Sequence, residues 1–259
     1  MANIHATAVV DPNADLGADV EIGPFCVVGP QVKLGHGVVL HSHVAVAGRT
    51  TIGDSCQVFP FASVGHIPQD QKYHGEQSSL DIGPHTVIRE HVTINPGTEG
   101  GGLVTRVGSH CLLMVGAHVA HDCQVGDHVI LVNNATLAGH VTIGDHAILG
   151  GLCAVHQFVR IGAHSYIGGG TTITKDVLPF SKTVAARDTH AYGLNAIGLE
   201  RRGYTKDRIA KIHHAFKTLL ASKLNTTQAI AKLKSEPDRG EDVDMLVRFI
   251  EESERGVIK

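Results

Sequence analysis

The chain has 259 residues and a formal net charge of −3, with 42% hydrophobic residues, which supports a packed core and excludes the global basic excess of a nucleic-acid or membrane-surface binder. No apolar run is long enough to span a bilayer, and no basic segment followed by an apolar stretch opens the chain, so a cytoplasmic location is expected. The 30 glycines and 19 histidines, beside no tryptophan and 4% aromatic residues, point to a narrow core built by repetition.

Aliphatic residues recur at every sixth position: Ile4, Val10, Leu16, Ile22, Val28, Leu34, Leu40, Val46, Ile52, Val58 and Val64. The phase resumes at Ile82, Ile88 and Ile94, slips by one residue, and continues from Val107 through Leu113, Val119, Val125, Leu131, Leu137, Ile143, Leu149, Val155, Ile161 and Ile167 to Ile173. Four positions after each anchor stands a small residue, as at Ala8, Ala14, Val20, Cys26, Val32 and Cys56. Glycine often follows the anchor directly, as at Gly17, Gly23, Gly53, Gly83, Gly108, Gly126, Gly144 and Gly162, and is expected to supply permissive backbone angles at a tight corner. Such a hexapeptide repeat predicts a parallel β-helix of three hexads per coil.

Two interruptions break the period. Residues 66–80 place Asp70 and Glu76 where anchors are due, and residues 96–106, with Gly100, Gly101 and Gly102, cause the slip. Both read as loops projecting from the prism, where a rigid solenoid meets ligands. After Ile173 the period stops, and Pro179 marks a change of composition. Thr205 is a candidate N-cap for a helix carrying Ile209, Ile212, Phe216 and Leu219 or Leu220; Ile230 and Leu233 suggest a second helix, and Val243, Leu246, Val247 and Ile250 a third. The expected division is a β-helix over 1–188 and a small α-helical domain over 189–259.

All five cysteines, Cys26, Cys56, Cys111, Cys123 and Cys153, fall in the small-residue column and read as core filler. His43, His85, His91, His110, His128, His140, His146 and His164 share one column, three after an anchor, and read mostly as a solvated edge or turn. His118 and His121 lie outside it, and His121 is followed by Asp122. At 18 residues per coil, His121 stacks beside Gly139 and Gln157, and Asp122 beside His140. An imidazole can act as general base near neutral pH, a carboxylate can fix its tautomer, and a glycine lets a carbonyl approach a backbone N–H. A catalytic zinc on His118, His121 and His140, as in the gamma-class carbonic anhydrases on related-looking trimers, is a competing reading.

The repeat resembles the left-handed β-helix family of hexapeptide acyltransferases. More narrowly, Ile22-Gly23-Pro24-Phe25, Gln69-Asp70-Gln71-Lys72-Tyr73, AHVAHDC at 117–123, NNATLAGH at 133–140, AVHQF at 154–158 and Gly198 with Arg201-Arg202-Gly203 resemble the UDP-N-acetylglucosamine O-acyltransferases of lipid A synthesis across essentially the whole chain. The resemblance implies a mainly β, left-handed parallel β-helix with a helical tail, and transfer of a 3-hydroxyacyl group from acyl carrier protein to the sugar 3-hydroxyl of UDP-N-acetylglucosamine. His121 would be the general base, Asp122 its supporting carboxylate and Gly139 N–H the oxyanion donor. Asp70, Lys72 and His118 would line the sugar-nucleotide site, with His140, His156 and Gln157 near the sugar and acyl groups. Asn195 and Arg202 would bind the nucleotide end and Arg201 the phosphopantetheine arm or carrier protein, guanidinium being apt for phosphate. A homotrimer with its site between neighbouring prisms is implied, as is the absence of metal or other cofactor. Gly169 would leave room for a chain longer than ten carbons, with Tyr166 and Leu152 able to shorten the groove. Ile197 and Gln71 depart from the family pattern, where an acidic and an apolar residue are familiar. A 3-amino sugar acceptor, a CoA-dependent acetyltransferase and a noncatalytic scaffold stand as alternatives.

Overall fold

A computed structural model describes residues 2–185, 189–222 and 224–258. Each hexad forms a strand of two residues, or of four at Arg49–Ile52, Ser79–Ile82 and Val104–Val107, ending on its aliphatic anchor, and strands stack in register on the strand one coil away: Gln124 and Val125 on Thr142 and Ile143, for example. Three parallel sheets result, one per wall. The first wall runs from Asn3–Ile4 through Tyr166–Ile167, the second from Val9–Val10 to Thr172–Ile173, and the third from Asp15–Leu16 to Arg160–Ile161. The anchors and the small-residue column fill one continuous interior, from Val20 to Val177. Only the open first coil leaves its anchors wetter, Ile4 being 43% exposed.

The corners overturn one expectation. Gly17, Gly23, Gly53, Gly83, Gly108, Gly126, Gly144 and Gly162 do not adopt left-handed angles; that conformation falls on the histidine column, with φ between 55° and 62° at His43, His85, His91, His110, His128, His140, His146 and His164. Histidine tolerates this region better than most residues. The glycines are required for a different reason: consecutive coils approach so closely that a Cβ on Gly53 would lie 2.6 Å from Pro84 N, and one on Gly144 2.6 Å from Ala163 N.

The buried cysteine thiols donate to carbonyls across a corner, Cys56 Sγ to Gly83 O at 3.2 Å and Cys153 Sγ to Gly168 O at 3.2 Å. Burial pushes Cys56 and Cys111 up to about 11 and Cys123 up to about 12, consistent with filler and not with a thiolate nucleophile.

Both interruptions leave from one corner, between the second and third walls. The strands Ser79–Ile82 and Val104–Val107 pair with each other and reclaim the last residues of each expected loop, because the backbone regains its ladder as soon as it returns to the wall. The excursions proper therefore end before Ser79 and Val104.

Beyond the prism, Ser181–Ala185 adds to the first wall and pairs antiparallel with Thr189–Leu194, a hairpin that the hexapeptide period does not announce. The expected boundary at 188 lies outside the described residues. Four α-helices follow: α1 (Ala196–Arg201), α2 (Lys206–Phe216, continued by a wider turn at Lys217–Ala221), α3 (Thr226–Ser235) and α4 (Glu241–Glu251). Thr205 caps α2 as expected, and Asn225 and Gln228 form a reciprocal capping box on α3. Leu178 and Phe180 join Ile212, Phe216, Leu233, Leu246 and Ile250 in a second core. The chain then returns to the prism: Ile258 joins the solenoid core, while buried Asp176 accepts from Ser253 Oγ at 2.8 Å and from Arg160 N at 2.9 Å. This tail covers the last coil, as solenoid ends require.

Candidate active site

His118 lies on the second wall in the strand His118–Val119, and the chain then turns the corner through Ala120, His121 and Asp122. Asp122 takes the left-handed corner conformation, φ 60°, which turns its carboxylate inward to 4% exposure. His121 Nδ1 lies 2.8 Å from Asp122 Oδ2, so with the proton on Nδ1 the imidazole donates and Nε2 is left as the basic nitrogen. Nε2 looks toward the first excursion, where Asp70 Oδ2 stands 3.8 Å away. The Lys72 N–H, donating to Asp70 Oδ1 at 3.0 Å, holds the Asp70 carboxyl below the usual carboxylate range, with the charges of His121 and Lys72 assisting.

One coil on, Gly139 lies beneath the His121 ring: a Cβ there would sit 2.5 Å from His121 Cε1 and 2.6 Å from Nε2. The Gly139 N–H donates no hydrogen bond to any of the described residues, whereas its neighbour His140 N–H donates to His121 O at 3.0 Å. A free N–H beside a basic imidazole nitrogen is the pairing an acyl-transfer step needs. His140 meets His121 edge to face and stacks on Phe158, with centroids 4.3 Å apart in the second contact. Burial holds His118 and His140 below the usual imidazole range, and the nearby His121 contributes to both. His118 Nδ1 is engaged by Thr93 Oγ1 at 2.7 Å.

The three-histidine zinc set is not assembled. Among the described residues, the group whose donor atoms lie within 4.8 Å of one another is His121, Asp122 and His140; His118 is turned to Thr93. Asp122 Oδ2 already accepts from His121 and from Thr98 Oγ1, which lies 2.6 Å away.

The second excursion reaches the same corner from the other side. Thr98 N–H donates to Asp122 Oδ1 at 2.9 Å, and Asp122 N–H donates to Thr105 Oγ1 at 2.7 Å. Sequence reasoning missed Thr93, Thr98 and Thr105. Counting coils across the one-residue slip would have placed Thr93 and Thr105 beside this corner, but nothing in the repeat places Thr98.

The remaining expected residues distribute over the prism. His156 and Gln157 are exposed on the next coil of the same corner, with His156 Nδ1 3.0 Å from Gln157 O. Gly169 is exposed at the corner between the first and second walls, where a Cβ would meet Gly151 O at 3.0 Å; Leu152, 70% exposed, shares that corner. Asn195, Arg201 and Arg202 lie beside the corner between the third and first walls. Asn195 caps α1, accepting from Gly198 N at 3.3 Å and donating to His164 O at 3.1 Å. Arg201 ends α1 and Arg202 follows it as the C-cap. Arg202 donates to Gly198 O and His146 O at 3.1 and 2.9 Å, tying α1 to the solenoid. Asn195, Arg201, Ile197, Tyr166 and Lys182 line an open groove along the first wall. One protomer therefore does not bring all of the expected residues to one place.

Residues 13–48, 105–139 and 140–175 match the bacterial transferase hexapeptide family, and residues 176–258 match the second domain of UDP-N-acetylglucosamine O-acyltransferase. The acyl-carrier-protein UDP-N-acetylglucosamine O-acyltransferase of Azorhizobium caulinodans is 52% identical over 97% of this chain and 92% of its own, and that of Syntrophobacter fumaroxidans 45% identical over 99% of each. The solved structure of LpxA from Acinetobacter baumannii superposes with a TM-score of 0.95 at 46% identity, covering 99% of both chains. That of LpxA, a UDP-N-acetylglucosamine acyltransferase from Bacteroides fragilis, gives 0.96 at 38%, covering 99% of this chain and all of its own. The solenoid is thus the left-handed parallel β-helix that the repeat's resemblance implied. With full-length relatives this similar, the hexapeptide prism and its helical tail belong to the UDP-N-acetylglucosamine O-acyltransferase family.

Proposed function

We propose that the protein transfers a 3-hydroxyacyl group from acyl carrier protein to the 3-hydroxyl of UDP-N-acetylglucosamine, the first step of lipid A synthesis, with His121 as general base. The observation that carries this reading is the 2.8 Å contact of His121 Nδ1 with buried Asp122, which leaves Nε2 facing outward beside the unpaired N–H of Gly139. Nε2 takes the proton of the sugar hydroxyl as its oxygen attacks the thioester carbonyl. The tetrahedral oxyanion accepts from Gly139 N–H, and on collapse the C–S bond breaks and the imidazolium returns the proton to the departing thiol. Asp122 stabilises the imidazolium between the two transfers. Asp70, Lys72 and His118 hold the sugar nucleotide, with His140, His156 and Gln157 beside the reacting groups.

The assay is transfer from purified 3-hydroxyacyl carrier proteins of several chain lengths to labelled UDP-N-acetylglucosamine. Native protein yields the acylated sugar and His121→Ala loses most of the rate; full activity in the variant removes His121 from the mechanism. No transfer by the native protein, with acylation of a 3-amino sugar nucleotide or use of acetyl-CoA, favours one of the other acceptors or donors. Gly169→Met is expected to shift selectivity from chains longer than ten carbons to shorter ones, and unchanged selectivity rejects Gly169 as the ruler.

The working form is a homotrimer in the cytoplasm. The support is the placement of Asn195, Arg201 and Arg202 at a different corner from His121, so that a site using both sets is completed by a neighbouring copy. Mixing inactive His121→Ala with inactive Arg202→Ala protein, after dissociation and reassembly, should restore activity in mixed trimers; no restoration places both sets on one protomer.

A further inference from the structure

We propose that Thr98 is a positioning residue for the His121–Asp122 pair, holding the Asp122 carboxylate through both its backbone N–H and its hydroxyl so that His121 keeps Nε2 free. The proposal rests on the reading of His121 as the base.

The second excursion leaves the prism only to return over the corner it left. Its first turn closes on Thr98, whose carbonyl accepts from Gly101 N at 3.1 Å and from Leu103 N at 2.9 Å. It is tied to the first excursion where Glu99 N donates to Glu76 Oε1 at 3.1 Å. Thr98 is thereby delivered to Asp122, donating N–H to Oδ1 at 2.9 Å and the hydroxyl to Oδ2 at 2.6 Å. Thr98 and Asp122 are 5% and 4% exposed, so water does not replace these donors. The flanking glycines allow the approach: a Cβ on Gly101 would fall on Asp122 Cγ, and one on Gly97 would lie 2.8 Å from Oδ1.

The hydroxyl matters because Asp122 Oδ2 has a choice of imidazole. His121 Nδ1 is 2.8 Å from it, but His140 Nδ1 is 3.9 Å from the same oxygen. With the Thr98 hydroxyl and N–H on the two carboxylate oxygens, the plane of the group is set and its remaining lone pair is aimed at His121. Without the hydroxyl the carboxylate can turn toward His140, and the His121 ring loses the partner that fixes its tautomer and pose. Asp70, the other carboxylate near His121, faces Nε2 and cannot substitute at Nδ1.

The test is steady-state transfer kinetics of the full-length protein with Thr98→Val, Thr98→Ser, His121→Ala and the double variant Thr98→Val/His121→Ala, each with its thermal midpoint. Thr98→Val is nearly isosteric and is expected to lower kcat about 10- to 100-fold with KM for UDP-N-acetylglucosamine within about twofold, since Thr98 is buried and spends its N–H and hydroxyl on Asp122. Thr98→Ser, which keeps the hydroxyl, is expected within about threefold of native kcat, and Thr98→Val is expected to add nothing to the loss in His121→Ala. Native kcat in Thr98→Val while His121→Ala is inactive overturns the role of Thr98 alone. So does Thr98→Ser as impaired as Thr98→Val, or a Thr98→Val loss that multiplies with that of His121→Ala. Native kcat in His121→Ala overturns the base assignment, and this proposal with it.

Discussion

Two corners of the prism use histidine in opposite ways. Between the third and first walls, His85, His110, His128, His146 and His164 stack one on the next with centroids 4.6 to 4.9 Å apart, and the ladder ends on Phe180 and Tyr204. Between the second and third walls, the left-handed position is held by Asp122, His140 and Phe158, and His121 stands one residue earlier, hydrogen-bonded to a carboxylate and overlain by two excursions. The difference teaches that the residue type does not make the site. A histidine at the left-handed position stacks and stabilises the turn; displaced by one residue, it faces outward and can be given a base's environment.

The comparison can be broken most directly by exchanging the losses. His121→Ala is expected to reduce transfer about 10²- to 10⁴-fold, whereas His128→Asn, which tolerates φ 56°, stays within about twofold; equal losses would erase the distinction between the corners. Gly139→Ala, whose Cβ would sit 2.5 Å from His121 Cε1, should displace the ring and lower kcat about 100-fold, with the thermal midpoint little changed because the ring can tilt outward. On the ladder side, Gly83→Ala puts a Cβ 2.6 Å from Ser109 N and should cost about 1–3 kcal/mol in denaturant unfolding without changing kcat per folded molecule.

The ladder also sets a pH dependence. Burial, assisted by His146 and Arg202, lowers His164 from 6.5 to about 4, and burial lowers His146 as well; Asp145 opposes both shifts, with Asp242 opposing that of His164 and Asp127 that of His146. In the unfolded chain these imidazoles take protons near 6.5, in the folded chain only at lower pH. The stability they contribute is therefore complete above about pH 6.5 and lost as pH falls toward 4. Thermal midpoints measured from pH 7.5 to 4.5 should fall, and His164→Asn should flatten that slope; an unchanged slope removes His164 from the effect. Cys153→Ala is the smallest change expected, about 1 kcal/mol, since Ala117, Ala135 and Ala147 occupy the same column elsewhere.

The hexapeptide period was legible because it is a packing rule: an anchor every six residues and a small residue four later state which side chains face inward, and each strand from Asn3–Ile4 to Thr172–Ile173 ends where its anchor stands. The helices were legible from Thr205 and the apolar stripes of α2, α3 and α4. The short α1 and the hairpin at 181–194 were not, because the first is too brief to show a period and the second is held by pairing to the last coil of the first wall. The corner glycines were located correctly and explained wrongly, since a close approach between coils and a left-handed backbone leave the same residue in a sequence.

By itself the sequence determined the coil, its interior and the juxtaposition of His121 with Gly139 and of Asp122 with His140, all of which follow from an 18-residue stride. The tertiary structure alone decided that the excursions share one corner, that Asp70 reaches His121 and Thr98 reaches Asp122, and that Asn195 and Arg202 lie at another. Stacking within the solenoid is periodic and local in register, so it can be counted. Loop return and helix docking depend on contacts whose sequence separation follows no period, and only the folded chain specifies them.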